Sequence, residues 1–446
     1  MAKEPMVPLT PAAEPYQVGP PALPPRFNKL KADIHKRIVE TLDLTKLNKW
    51  KQDRLRREVR SLANQLALSA PDPMTDGERA QLVDEILSEV FGLGPLDPLL
   101  TDPSVSDVLV NGPHTVYVER NGKLEMTTVR FADDAHLMQI IQRVAARVGR
   151  RADESSPMVD ARLDDGSRVN AIVPPLTLNG PVLSIRRFGV RLGGDELLAN
   201  ATMPPAMLTF LKAAVASRLS LVVSGGTGSG KTTLLNALSQ FIPDDERLVT
   251  IEDSAELKLR QRHVIGLETR PANVEGSGEV RQRDLVRNAL RMRPDRIILG
   301  ECRGAEALDM LQAMNTGHEG SLTTVHANDT RDALTRLEMM VMMAGFDLPV
   351  PVIRYYITSA VTLVVHLARL KGGRRKVVRV SELVGLGPDG YELHDVFGYR
   401  QRGVRDGAAY GEFYATGYRP RCLEKLSSMG VDLPDELFHK HTLADA

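Results

Sequence analysis

An α/β fold with a mostly parallel sheet, preceded by a helical bundle and an α+β domain, is predicted by three observations in this 446-residue chain. From about residue 205, strand-like apolar runs alternate with amphipathic stretches, the pattern of a parallel sheet carrying helices on its faces. The first of these runs, LSLVVS, opens into a glycine-rich loop, SGGTGSGKTT at 224–233, before apolar LLNAL resumes. Upstream, helical spacing gives way near residue 100 to short β-rich runs separated by Asn-Gly turns.

Residues 1–26 are a proline-rich leader: eight prolines among the first 25 residues and little periodicity predict a disordered or polyproline-like segment. Residues 27–99 predict a small bundle. Phe27, Leu30, Ile34, Ile38 and Leu42 recur at helical spacing, as do Leu55, Val59, Leu62 and Leu66. A third helix starts at Thr75, where Thr75 and Glu78 match a capping box, turns Leu82, Val83, Ile86, Leu87 and Val90 inward, and stops at GLGP. In the α+β domain, 100–188, the runs VSDVLVNG, TVYVERNG and MTTVRF predict strands. Asp133 or Asp134 caps a helix through Leu137, Ile140, Ile141 and Val144. DARLDDGSRVNAIVPP, 160–175, predicts a hairpin with a tight Asp-Asp-Gly turn.

Residues 189–204 are expected to be a linker, and their Gly/Pro content, like that of GLGPLDPLL, suits segments across which lobes rotate. The α/β domain, 205–385, reads SLVVS, helix, RLVTIED, HVIGLET, helix, RIILGE, helix, SLTTVHA, helix. KGGRRK, 371–376, reads as a solvated hairpin turn between LVVHLARL and VVRVSEL, with contact to anionic lipid as the alternative. A C-terminal extension, 386–446, ends in a helix near Cys422–Met429. The run EMMVMMAG puts Met339, Met340, Met342 and Met343 on a helix, where methionine serves core packing or a subunit contact.

Apolar residues at 42% and charged residues at 26% are ordinary for a soluble globular chain. Formal net charge is zero and aromatics are 4%, so no stable nucleic-acid partner is expected: both the basic surface and the stacking platforms are scarce. Cys302 and Cys422 have no paired spacing, which suits a reducing compartment and offers no disulfide framework or zinc site. No apolar run approaches the ~18 residues that span a bilayer. The N-terminus lacks the apolar region of a signal peptide. A cytoplasmic location is expected, with docking on a membrane-embedded partner left open.

Gly225 and Gly230 bracket the pattern G-x-x-x-x-G-K-[ST], which Lys231 and Thr232 complete. Glycine lets the backbone wrap and aim N–H groups at phosphates. The helix that begins there adds its positive dipole end. Gly225, Gly226, Thr227, Gly228, Ser229, Gly230, Lys231, Thr232 and Thr233 are therefore the candidate triphosphate-binding residues. Lys231 supplies a point charge for the β- and γ-phosphates, and Thr232 a hydroxyl for Mg²⁺.

Phosphoryl transfer also needs acids. VTIEDSAEL places Glu252 and Asp253 at a strand end with Glu256 just beyond, and RIILGECRG places Glu301 at another. Ligands of open α/β sheets gather at the carboxyl ends of strands. The usual second motif ends its strand in Asp, where this chain has Gly300, so Glu301 is the candidate for the outer-shell magnesium contact, with the other acids as alternatives. SLTTVHAND ends a further strand at His326, a candidate γ-phosphate sensor.

GGTGSGKTT, TIEDSAELKL and RDLVRNALRMRPDRIILGECRGAEALDMLQAMNTGHEGSLTTVHAN resemble the secretion and pilus ATPases of the type II/type IV secretion superfamily. The nearest look-alike is the CpaF branch, which powers tight-adherence (Flp-type) pili. In that likeness Glu252–Glu256 is an acidic box, Gly300–Glu301 closes a variant Walker B motif, and His326 marks a histidine box. PMVDARLDDGSRVNAIVPP and LSIRRFG resemble the superfamily's N-terminal domain, and FYATGYRPRCLEKL its C-terminal tail. The likeness spans roughly 27–430. It implies a RecA-like P-loop core behind a PAS-like α+β domain, with ATP and Mg²⁺ as cofactors. It also implies a homo-hexamer at the cytoplasmic face of the inner membrane, associated peripherally through partners and working on an inner-membrane pilus platform protein. Arginines from the N-terminal domain are expected at the nucleotide. Arg168, Arg186 and Arg187 match best, and Arg291 and Arg293 come second. An arginine supplied in trans is worth about 10³–10⁵ in rate. Glu252 is the expected group for orienting or deprotonating the water, with Asp253, Glu256 and Glu301 assisting. Two other readings fit the same loop: a nucleic-acid-translocating ATPase, and a nucleotide-gated scaffold with little turnover, which Gly300 keeps open.

Overall fold

The structure, a computed structural model, describes residues 15–17, 23–24, 26–41, 52–71, 73–120, 122–187, 192–270, 272, 277–388 and 390–443. Most of the leader and Leu42 lie outside these residues. The chain divides into two units, Met1–Gly189 and Val190–Ala446.

In the N-terminal unit, α1 (Arg26–Thr41), α2 (Gln52–Leu68) and α3 (Asp76–Phe91) share a core of Ile34, Ile38, Val59, Ala63, Leu82, Val83 and Ile86. Thr75 caps α3 reciprocally: its hydroxyl accepts the Glu78 N–H at 3.2 Å, and the Glu78 carboxylate accepts the Thr75 N–H at 2.8 Å. Two of the helix's orphan donors are thereby satisfied.

GLGPLDPLL is not a hinge. It forms a 3₁₀ turn and α4 (Asp97–Thr101), and Leu93, Leu96 and Leu99 are buried in the core of the following sheet. Withdrawing each such side chain costs about 1.5–3 kcal/mol, which fixes the segment in place.

That sheet is antiparallel. Its strands are β1 (Val105–Asn111), β2 (Val116–Arg120), β3 (Lys123–Met126), β4 (Met158–Arg162), β5 (Arg168–Ile172) and β6 (Val182–Arg186), in the order β3-β2-β1-β6-β5-β4. Helix α5 (Asp134–Arg147) packs Leu137, Ile140, Ile141 and Val144 into the same core and is capped by Asp133, which accepts the His136 N–H at 2.8 Å. The third strand is KLEM rather than the expected MTTVRF. The N–H and hydroxyl of Thr127 both bond the Val116 carbonyl, at 2.8 and 3.0 Å, and Phe131 turns into the core instead of continuing the ladder. Tyr16 of the leader is tied to this sheet: its N–H bonds the Met126 carbonyl at 2.6 Å, its hydroxyl bonds Asp102, and the Arg120 guanidinium lies over its ring.

The C-terminal unit opens with α6 (Gly194–Ala199) and α7 (Pro205–Ala216). Residues 189–191 of the expected linker lie outside the described residues. Within the rest of it, Leu197 and Met203 are buried in the unit's core, so 192–204 is packed structure. There follow β7 (Leu221–Gly225), α8 (Lys231–Ser239), β8 (Leu248–Glu252), β9 (Val264–Glu268), α9 (Gln282–Ala289), β10 (Arg296–Cys302), α10 (Glu306–Asn315) and β11 (Leu322–His326). Then come α11 (Thr330–Met342), α12 (Val350–Ala360), β12 (Leu363–Arg369), β13 (Arg375–Gly387), β14 (Gly390–Arg405), β15 (Ala408–Ala415), α13 (Leu423–Ser428) and β16 (His441–Leu443).

The sheet order is β16-β15-β14-β13-β12-β7-β11-β10-β8-β9. Strands β12, β7, β11, β10, β8 and β9 are parallel, which is the core the sequence predicts. β7 and β8 are buried along their whole length, as expected for central strands covered on both faces. Alternate side chains feed two cores, Val223 to one and Val222 to the other.

The expected boundary at 385/386 falls inside β13, and β14–β16 extend the same sheet antiparallel. Phe210 of α7 meets Phe397 and Phe438 edge-on, with centroids 5.8 and 5.6 Å apart. Such pairs add about 0.5–1.5 kcal/mol each beyond burial. The last 60 or so residues thus share the core of the unit rather than forming an appendage. In the methionine run only Met340 is buried, while Met339, Met342 and Met343 are exposed, because one helical face alone can meet the core.

Candidate active site

Strand β7 ends at Gly225 and α8 begins at Lys231, so the glycine-rich loop joins a buried strand to a helix N-terminus. Gly228 and Gly230 have φ of +67° and +99°, backbone that side chains rarely tolerate. Lys231 folds over the loop, its Nζ donating to the carbonyls of Gly225 and Gly226 at 3.0 and 3.1 Å. Gly226, Thr232 and Thr233 are half-buried, and Thr227 is exposed. The Ser229 hydroxyl is buried within the loop with no hydrogen-bond partner among the described residues. A cationic head, a helix N-terminus and a buried orphan hydroxyl in one loop fit a phosphate chain.

The acids converge beside it. Glu252, the last residue of β8, is buried, and its Oε1 accepts the N–H groups of Glu256 and Leu257 at 2.9 and 3.0 Å. Burial pushes its carboxyl up to about 7; the two N–H bonds oppose that rise, and the nearby Glu256 and Glu268 add to it. Glu301 sits 4.0 Å from Lys231 Nζ. Its other oxygen takes Nε and Nη2 of Arg303 at 2.9 and 2.6 Å, and Arg303 Nη1 reaches Asp253 at 3.4 Å. Glu252, Asp253, Glu301 and Lys231 therefore belong to one strand-end cluster. Glu256 joins it through its backbone N–H and is half-buried.

His326 is half-buried at the end of β11, in register with Gly225 of β7, and the N–H of the next residue, Ala327, donates to the Gly225 carbonyl at 3.4 Å. The histidine thus lies at the mouth of the loop.

Among the described residues, no group of three or more His, Cys, Asp or Glu side chains could hold a metal by itself. Thr232 and Glu301 fit an ion held mainly by phosphate oxygens and water, the usual arrangement for Mg²⁺.

The arginines divide. Arg168 and Arg186, on β5 and β6 of the N-terminal unit, are cross-strand partners, and Arg186 Nε lies 3.9 Å from Asp107. Arg187 is committed locally: its Nη1 donates to the carbonyls of Asp102 and Val105. Arg291 and Arg293, just past α9, are exposed.

Three features escaped the sequence reading. Arg303, two residues after Glu301, bridges the acids. His366 of β12 is buried against Ser224, Nδ1 to Oγ 2.9 Å, directly below the loop, where burial lowers its basicity. The hairpin KGGRRK is not merely solvated: Arg375 Nε donates to the Gly228 carbonyl at 3.0 Å. An arginine flanked by acids, as Arg303 is, could have been found from spacing. The other two follow from strand register.

A family model described as "Type II/IV secretion system protein" matches residues 89–399. The chain is similar to a protein of Mycobacterium tuberculosis described as "Putative conjugal transfer protein", 41% identical over 305 residues, covering 66% of this chain and 86% of that protein. It is also similar to the type IV secretion system protein VirB11 of Brucella suis, 36% identical over 306 residues, covering 62% and 84%. The crystal structure of the Brucella suis VirB11 ATPase with sulphate aligns with a TM-score of 0.36 at 33% identity, covering 66% of this chain and 97% of that one.

Proposed function

This chain belongs to the type II/IV secretion system protein family, and from that premise we propose that it is an ATPase working as a homo-hexameric motor. Glu252 carries the reading. A carboxyl held near 7 by burial, fixed by two backbone N–H groups and packed against Gly300, is poised to take a proton from water at neutral pH.

Lys231 and the loop N–H groups hold the β- and γ-phosphates. Thr232 and Glu301 would hold Mg²⁺, which when bound neutralises charge on the phosphate oxygens. Glu252 orients and deprotonates the attacking water, with Asp253 and Glu256 shaping its field. His326 reads the γ-phosphate at the loop's mouth. Arg168 and Arg186 are the arginines offered to a nucleotide in trans. Arg187 is the weaker candidate, because its guanidinium already serves two carbonyls.

In this reading ATP turnover moves the two units of each subunit and drives an inner-membrane platform protein that assembles or retracts a tight-adherence pilus, with the ring peripheral to the cytoplasmic face of the inner membrane. Among the described residues no helix is long and apolar enough to cross a membrane. The C-terminal tail motif is firmly held, since Glu382 accepts the Tyr418 hydroxyl and the N–H groups of Arg421 and Cys422.

ATPase activity across a size-exclusion series, with and without nucleotide, tests the motor. Turnover confined to a hexamer peak and lost in Lys231→Ala is expected. Full activity in a monomer peak would overturn the ring, and wild-type turnover in Lys231→Ala would overturn the site.

The description of the mycobacterial relative favours a second reading, transfer of nucleic acid. Turnover stimulated strongly by single-stranded DNA, with steep salt dependence, would select it.

A further inference from the structure

We infer that Arg375 is a positioning residue of the phosphate loop, so that nucleotide affinity depends on the β12–β13 hairpin of the same subunit. The inference rests on the reading that the loop takes nucleotide phosphates.

Strand register brings the parts together. β12 pairs parallel with β7, Leu367 opposite Gly225, and runs two residues farther, to Arg369. β13 starts at Arg375, directly across from Arg369. The hairpin therefore overhangs the point where β7 becomes the loop. Arg375 Nε donates to the Gly228 carbonyl, and its Cδ lies 3.3 Å from where a Cβ on Gly230 would stand. Arg369 Nη1 lies 3.3 Å from the corresponding position on Gly228. Two guanidinium groups from neighbouring strands thus meet Gly228, and the Arg375 stem packs beside Gly230.

The chemistry follows from the peptide plane. The Gly228 carbonyl and the Ser229 N–H belong to one rigid amide and point in opposite directions. A charge-assisted bond on the carbonyl fixes the direction of that N–H. Among the described residues the Ser229 N–H makes only a long bond, 3.4 Å, to the Gly226 carbonyl across the loop. A phosphate oxygen can replace so weak a partner. Without Arg375, an amide between two glycine-rich turns is free to reorient, and that freedom must be lost on binding. Lysine keeps the charge but not the directed Nε donor.

The test uses the full chain and its Arg375→Ala, Arg375→Lys and Arg369→Ala variants, with ADP as probe. ADP affinity, the ADP-induced rise in Tm, ligand-free Tm, and ATP KM and kcat are measured. Arg375→Ala is expected to raise ADP Kd and ATP KM about tenfold, with kcat falling less than threefold and ligand-free Tm kept. Arg375→Lys recovers only part of the affinity. Arg369→Ala weakens ADP less than Arg375→Ala does. Wild-type ADP affinity in Arg375→Ala, full rescue by lysine, a larger loss in Arg369→Ala, or a lower ligand-free Tm with an undiminished ADP-induced rise would each overturn the inference while leaving the nucleotide site intact. A wild-type chain that binds no ADP would instead overturn the site itself, and this inference with it.

Discussion

Glu252 lies across Gly300: a Cβ at position 300 would stand 2.9 Å from Glu252 Cγ. The aspartate that usually ends this strand cannot be accommodated while Glu252 keeps its place. The missing carboxylate and the buried one are thus two sides of one packing arrangement, and Glu301, one residue on, is left to face Lys231.

Gly300→Ala should displace Glu252 without touching the phosphate loop. Turnover is expected to fall about 100-fold, the scale of an ångström's misplacement in an active site, while ADP binding stays within threefold. Steady-state kinetics and ADP titration on the same preparation check this. Parallel loss of both would mean that Gly300 serves the fold alone.

The pH–rate profile should report Glu252. Water activation needs the carboxylate, so kcat/KM is expected to rise tenfold per pH unit below about 7 and to flatten above it. Glu252→Gln should lose about 10²–10⁴ in turnover and with it the inflection near 7. An unchanged inflection in the variant would assign it elsewhere.

The same group couples stability to pH. Folded Glu252 titrates near 7 and the unfolded side chain near 4.5, so the native state binds the proton more tightly. Stability from this group therefore falls as pH rises from about 4.5 through about 7, by up to about 3 kcal/mol. Glu252→Gln keeps an oxygen for the Glu256 and Leu257 N–H groups and removes the charge. It should be more stable than wild type in urea at pH 8, with the gain shrinking toward pH 4.5. Equal stability at pH 8 would show that burial does not strain the carboxylate.

Glu382→Ala strips three hydrogen bonds from the C-terminal tail and leaves the N–H groups of Arg421 and Cys422 without their acceptor. A cost of about 2–5 kcal/mol is expected, with limited proteolysis opening the chain after Ala415 first. Wild-type protease resistance would mean that the aromatic cluster of Phe210, Phe397 and Phe438 suffices to hold the tail.

Features that depend on neighbours in the chain were legible in the sequence. The capping box at Thr75 and Glu78, the fully apolar strand before the loop, the loop itself and the acids at the ends of β8 and β10 all follow from spacing over a few residues. Features that depend on register and burial were decided by the tertiary structure. Composition alone makes GLGPLDPLL look like a hinge and KGGRRK like a solvated turn; packing buries the first, and strand pairing lays the second on Gly228. Whether Glu252 is an ordinary acid or a base tuned to neutral pH is not written in VTIED either. Desolvation is set by every atom that surrounds a carboxylate, and those atoms come from segments far apart along the chain, Gly300 among them.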